Sequence, residues 1–271
     1  MTRRKVNFFV KLEPVLEILR AAVWSGYIAG ERPISVMLIA DQESAKTEAL
    51  KYFYGTKSLA YLSDLTSRGL NPYKSDIVNG KVRHLVLMDL VRLVSHGRGT
   101  SERTLQTLAA LMEEGESKVS DGGGLSDWGE FPKVGALMGI TTDYFKARAG
   151  HWRKTGFLTR FIPVSYSYTA STVREIHNNI ALGRGFSNPQ PEILPDFATA
   201  VTLRDEYAMM LKMHGELLGE KMKTHGFRYH RVLRALAKCS ARIDGRGAVK
   251  LCDIKKVQEW SRFFTLDRIE L

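Results

Sequence analysis

Cysteine is scarce in this chain of 271 residues. Cys239 and Cys252 are too few for a disulfide framework or a cysteine-based zinc cluster, and a reducing, cytoplasmic compartment is the simpler expectation. No apolar run reaches the roughly 18 residues needed to cross a bilayer, so no membrane role is expected. The charged start, Met1-Thr2-Arg3-Arg4-Lys5, is followed only by a short apolar stretch broken by Lys11 and Glu13, unlike a secretory signal. The histidines are scattered. His225 and His230 come nearest to a pair, and no H-E-x-x-H or C-x-x-C accompanies them, so no histidine- or cysteine-built metal site is expected. The G-x-S-x-G elbow of serine hydrolases is also missing. There is no internal repeat and no low-complexity tract. Without a zinc finger or a helix-turn-helix, sequence-specific DNA reading is not indicated.

What the chain does have is positive charge, unevenly placed. Residues 1–143 carry 18 Lys+Arg against 17 Asp+Glu, whereas residues 144–271 carry 22 against 12. A basic C-terminal half suits a polyanionic partner, with nucleic acid first among them.

Along the chain, apolar positions at helical spacing mark residues 11–28, closed by Gly26, Gly30 and Pro33. Ile34 to Ile39 is a continuous apolar run of strand length, as expected of a strand buried on both faces. A helix from Lys46 to about Tyr54 follows. Further strands are expected at Leu59–Leu62, Leu85–Met88, Val134–Ile140 and Phe157–Val164, with a helix over Ser101–Glu114. Ser120 to Asp127, with its glycine run, reads as a mobile loop. Strands alternating with helices predict a mostly parallel sheet with right-handed crossovers. After about residue 171 the pattern turns helical, over 197–224, 228–243 and a last helix capped by Asp253. The implied organisation is an N-terminal helix (1–30), an α/β core (31–170) and a smaller, basic, all-helical lid (171–271).

Chemistry concentrates where the first strand hands over to its helix. Ala40-Asp41-Gln42-Glu43-Ser44-Ala45-Lys46-Thr47 aligns with the phosphate-loop pattern G-x-x-x-x-G-K-[ST]. Lys46 and Thr47 match, and alanine replaces both glycines. In such a loop, backbone N–H groups bind phosphate oxygens, the lysine reaches the β- and γ-phosphates, and the hydroxyl ligates Mg²⁺. Alanine at position 45 is a mild change if its φ stays negative. Asp89, at the end of the third strand, is placed to hold Mg²⁺ through water. The next position, often a glutamate that orients water, is Leu90. Asp64 is a candidate replacement base, with Glu43, Glu113 and Glu114 weaker ones.

These blocks resemble the AAA+ family of P-loop ATPases, in short stretches over residues 30–265. The resemblance implies an ATP- and Mg²⁺-dependent ATPase that assembles into a ring of identical chains. The strand Val134–Ile140 with Thr141 and Thr142 looks like the family's sensor 1 strand, and one of those threonines would contact the γ-phosphate or the attacking water. Gly156-Phe157-Leu158-Thr159-Arg160-Phe161 is similar to the "GLLSRF" block of minichromosome maintenance helicases. Arg160 would then be an arginine finger acting on a neighbour's nucleotide, as a bidentate guanidinium suits, with Arg148 and Arg153 as competitors. The helix beginning Phe227-Arg228-Tyr229-His230-Arg231 is similar to the sensor 2 helix, with Arg228 as its arginine and Arg231 as the alternative. With the basic half, this implies a motor or loader on DNA of a replication, transposition or phage type. The alanines in the loop and Leu90 also fit a nucleotide-binding switch with weak or no hydrolysis, and a remodeller of a protein partner is a further alternative. His151-Trp152-Arg153-Lys154 could stack on bases, but packing is the preferred reading.

Overall fold

A computed structural model describes residues 10–63, 70–91, 98–121, 124–183, 189–267 and 269–271. Its centre is a parallel sheet of five short strands: β1 (Val36–Ala40), β2 (Leu59–Leu62), β3 (His84–Leu87), β6 (Gly135–Thr141) and β7 (Ile162–Ser165), in spatial order β2-β3-β6-β1-β7. The chain leaves β1 for the far edge and returns strand by strand through β3 and β6. It then passes β1 to reach β7. β1 therefore pairs with two distant segments, Val36 lying against Leu137 on one side and Ile162 on the other.

Alternation of side chains about the strands divides the core in two. Val36, Leu38, Ala40, Val86, Leu137, Ile162 and Val164 face one way. Met37, Ile39, Leu85, Leu87, Ala136, Met138 and Ile140 face the other. Both faces are covered, which is why the strands read as unbroken apolar runs.

On the first face lie α1 (Glu13–Ser25), the short α2 (Lys46–Lys51), α8 (Phe227–Ile243) and α9 (Leu251–Ser261), whose buried Leu233, Leu236, Ile254 and Val257 join the same cluster as Leu38. On the second lie α3 (Lys74–Val78), α4 (Arg98–Glu113) and α5 (Thr142–Lys154), through Ile77, Leu108, Leu111, Phe145 and Trp152. The β1-to-β2 crossover runs opposite to the later ones, so handedness sends α2 to the other face. α6 (Ala170–Ala181) and α7 (Asp205–Lys221) complete the chain. Among the described residues, no helix is long and apolar enough to cross a membrane.

Several local readings are corrected. The expected loop over 120–127 is largely strand: 120–121 and 124–127 belong to an antiparallel pair, β4 (Glu116–Asp121) and β5 (Gly124–Glu130), with Asp121 opposite Gly124. Its polar strands carry no apolar alternation to announce them. Phe157–Arg160 is not strand: Leu158–Arg160 is a 3₁₀ turn, and β7 begins only at Ile162. Asp253 does not cap α9 from outside but sits in its first turn, where its carboxylate accepts the Lys250 N–H at 2.8 Å.

Trp152 belongs to the core. It is 1 % exposed and stacks edge-on between Phe145 and Phe157.

Candidate functional site

β1 ends at Ala40, five residues form a loop, and α2 starts at Lys46. This junction lies at the carboxyl ends of parallel strands, where the chain's spatial order reverses, the usual crevice for ligands in open α/β sheets. The two alanines behave differently. Ala40 is an ordinary strand residue, fully buried and paired with Thr141, so its methyl meets no backbone penalty. Ala45 is left-handed, with φ 57° and ψ 18°, and Glu43 is left-handed too, with φ 59°. The loop thus adopts the conformations that glycine would take freely, without the glycines.

Two tyrosines hold it there. Just after β7, the Tyr166 hydroxyl donates to the Ser44 carbonyl at 2.8 Å and the Tyr168 hydroxyl reaches the same oxygen at 3.4 Å. The Tyr166 N–H binds Ile39 O at 3.2 Å. Burial raises both phenol pKa values, that of Tyr168 to about 12, so both groups stay protonated and can donate. Ser44 O lies between the two left-handed residues, and fixing it fixes the turn.

Lys46 points back across the loop. Its ammonium donates to Ala40 O at 2.9 Å and to Asp41 O. Burial lowers its pKa, while the charges of Asp41 and Asp89 oppose that shift; Asp89 is thus near enough to act on the amine. Asp89 is exposed, and one of its carboxylate oxygens accepts the Val91 N–H at 2.9 Å. Gly139 makes the close approach possible. A Cβ there would stand 2.9 Å from Met88 O and 3.6 Å from Lys46 Cβ, so the missing side chain lets α2 settle against β6. Residues 43–48 line a shallow pocket of about 270 Å³. Gln42, Glu43 and Thr47 are exposed around it, Asp41 and Ala45 half-buried, and Ser44 buried.

Other expected residues are placed less simply. Thr142 is buried as the first residue of α5, and its hydroxyl has no hydrogen-bond partner. Thr141 before it is more open. Leu90 is fully buried. Asp64 lies outside the described residues.

Arg160 and Arg228 come together, but at the other end of the sheet. Both line a cleft of about 620 Å³ beside Pro33, Ser35 and Ile162, at the amino ends of β1 and β7. At about 3.3 Å per residue, Ser35 and Asp41 are roughly 20 Å apart. Arg228 therefore does not meet the loop of its own chain. It binds the Glu113 carboxylate at 2.6 Å and Thr159 O at 3.0 Å. Arg160 donates to Gly156 O at 2.8 Å. Glu113 is held at this end too, and Arg148 lies over the Tyr144 ring, 5.5 Å from its centre.

No protein-family model matches the chain, and no curated protein matches it in sequence. The tyrosine clamp and Gly139 escape sequence reading, because tyrosines just past a strand and a glycine within one carry no pattern of their own. Arg153, Arg160, Arg228 and Arg231 stand out singly in the sequence, but nothing in it gathers them into one cleft.

Proposed function

We propose that the chain binds a nucleoside triphosphate with Mg²⁺ at the loop between β1 and α2, as a AAA+ type P-loop ATPase. The observation that carries this reading is the turn between β1 and α2 at the carboxyl edge of a parallel sheet, where Lys46 and Thr47 line the pocket and the charge of Asp89 acts on the Lys46 amine. The residues fit the group. Among the described residues Lys46 is anchored only to main-chain carbonyls that a phosphate can displace, Thr47 and Asp89 are exposed, and the turn carries the left-handed residues of a phosphate-cradling loop. Lys46 would hold the phosphates, and Thr47 with Asp89 the metal. Bound Mg²⁺ would supply charge neutralisation on the phosphates.

A ring of identical chains follows from the same reading. Arg160 and Arg228 share one end of the sheet, remote from Lys46, so a triphosphate held at Lys46 comes within their reach only from another copy. The basic C-terminal half makes DNA the favoured partner, its surplus charge being suited to phosphate contacts. A switch with little hydrolysis is the second reading, favoured by Leu90: a fully buried leucine stands where a water-orienting glutamate would follow Asp89.

Titration with a fluorescent ATP analogue and Mg²⁺, beside phosphate release with and without duplex DNA, separates the two. Turnover lost in Lys46→Ala supports the motor. Tight binding without turnover supports the switch. Absence of binding in the unsubstituted protein rejects both.

A further inference from the structure

The ring reading uses only two side chains of the cleft at the amino ends of β1 and β7. The rest of its lining also needs a role. The cleft is walled by the segment before β1, the end of α4, the turn before β7 and the first turns of α8. Its volume of about 620 Å³ falls within the range of about 300–1,000 Å³ common to small-molecule sites.

Six arginines line it: Arg32, Arg153, Arg160, Arg228, Arg231 and Arg234. Only two carboxylates oppose them. Glu113 binds Arg228 and lies 4.0 Å from Arg32, and Glu31 lies 3.7 Å from Arg234 while also binding Lys238 at 2.6 Å. Among the described residues, Arg153, Arg160 and Arg231 have no ion pair. The lining therefore holds four positive charges more than negative ones.

Between the arginines the wall is apolar, formed by Met37, Met112, Leu158, Phe161, Val232 and Leu266. A bare inorganic anion would leave that surface idle, and a neutral apolar ligand would leave the guanidinium groups unpaired.

We infer that this cleft is a binding site, within a single chain, for a small organic anion: one phosphate or similarly charged group carried on an apolar or aromatic body. The guanidinium groups take the charged end bidentately, and the partly exposed Leu158, Val232 and Leu266 take the body. The site stands apart from the loop at Lys46 and does not depend on the nucleotide reading.

The test is calorimetric titration with 1-naphthyl phosphate. The unsubstituted protein is expected to bind one molecule per chain, at least tenfold more tightly than inorganic phosphate. The stoichiometry and affinity should not change when the protein is diluted tenfold. Arg153→Gln with Arg231→Gln, both at exposed side chains, should weaken binding at least tenfold, as should Arg160→Gln alone. Lys46→Ala should leave it unchanged. The inference is overturned if no binding is seen, if inorganic phosphate binds as well, or if the double substitution has no effect. Loss of binding in Lys46→Ala would place the ligand at the other loop, and loss on dilution would make the cleft an interface between copies; either result also rejects the inference.

Discussion

Replacing Ala45 by glycine should stabilise the protein, although a glycine beside a helix is ordinarily a liability. Ala45 has φ 57° and ψ 18°. For an L residue this region costs about 1–2 kcal/mol, because Cβ crowds the following carbonyl. Glycine removes that crowding but also loosens the unfolded chain, which returns about 0.4–1 kcal/mol. The net expectation is a gain of about 0.5–1 kcal/mol, or a rise in Tm of about 1–3 °C for a protein of this size. Urea unfolding is the assay, with the slope m required to stay constant so that a shifted midpoint reports stability alone. Ala49→Gly, inside α2 and fully buried, serves as the control and should lose about 1 kcal/mol or more. If Ala45→Gly is neutral or destabilising while the control behaves, the loop does not hold the left-handed turn, and the argument for a cradle built without glycine fails.

Removing the Tyr166 hydroxyl with Tyr166→Phe should cost about 1–2 kcal/mol, since Ser44 O loses its main donor; urea midpoints would show it. His84 is fully buried, and burial takes its pKa from 6.5 down to about 4. Its neutral form is the one the fold accepts, so its contribution is complete above pH 6.5 and drains away as the pH falls toward 4. At about 1.36 kcal/mol per unit the loss approaches about 3 kcal/mol, and it should shrink in His84→Gln when midpoints at pH 7.5 and 4.5 are compared. Gly135→Ala would set a Cβ 2.4 Å from the His84 ring and 2.9 Å from Ile34 O. A cost of about 3 kcal/mol, or failure to fold, is expected from such overpacking, and soluble yield with thermal melting would report it. Asp253 is 1 % exposed and is held by Ser240 at 2.8 Å and by two nitrogens of Arg246. Asp253→Ala should destabilise by about 1–3 kcal/mol, because Ser240 and the Lys250 N–H lose their acceptor while Arg246 keeps Asp244; a melt that moved little would contradict the assignment.

The parallel sheet was legible because burial on both faces leaves no room for polar residues. Val36 to Ile39, Leu59–Leu62 and Leu85–Leu87 are apolar without interruption, and each became a strand. Lys46, Thr47 and Asp89 were legible as a spacing, and the structure brings Lys46 and Asp89 within electrostatic reach. What could not be read depends on contacts between distant segments. Nothing local about Tyr166 announces that it will grip Ser44, 122 residues earlier. Arg228 reads equally well as a residue for its own loop or for another copy's, and only the docking of α8 against Glu113 and Thr159 places it at the far end. The pair β4 and β5 was hidden because its residues follow no two-residue hydrophobic period. Alanine at 45 looked harmless in the sequence because a backbone angle is not written there.

The position of β1 has a consequence for how the chain is assembled. Its neighbours, β6 and β7, lie about a hundred residues or more further on, Val36 pairing with Leu137 and Ile162. Contacts this remote in sequence make folding slow. During synthesis β1 waits with both edges open until β6 has been made, about a hundred residues later, and with one edge open until β7 follows. That interval is when the nascent chain most needs a chaperone, and a fragment ending after α4 should aggregate rather than fold.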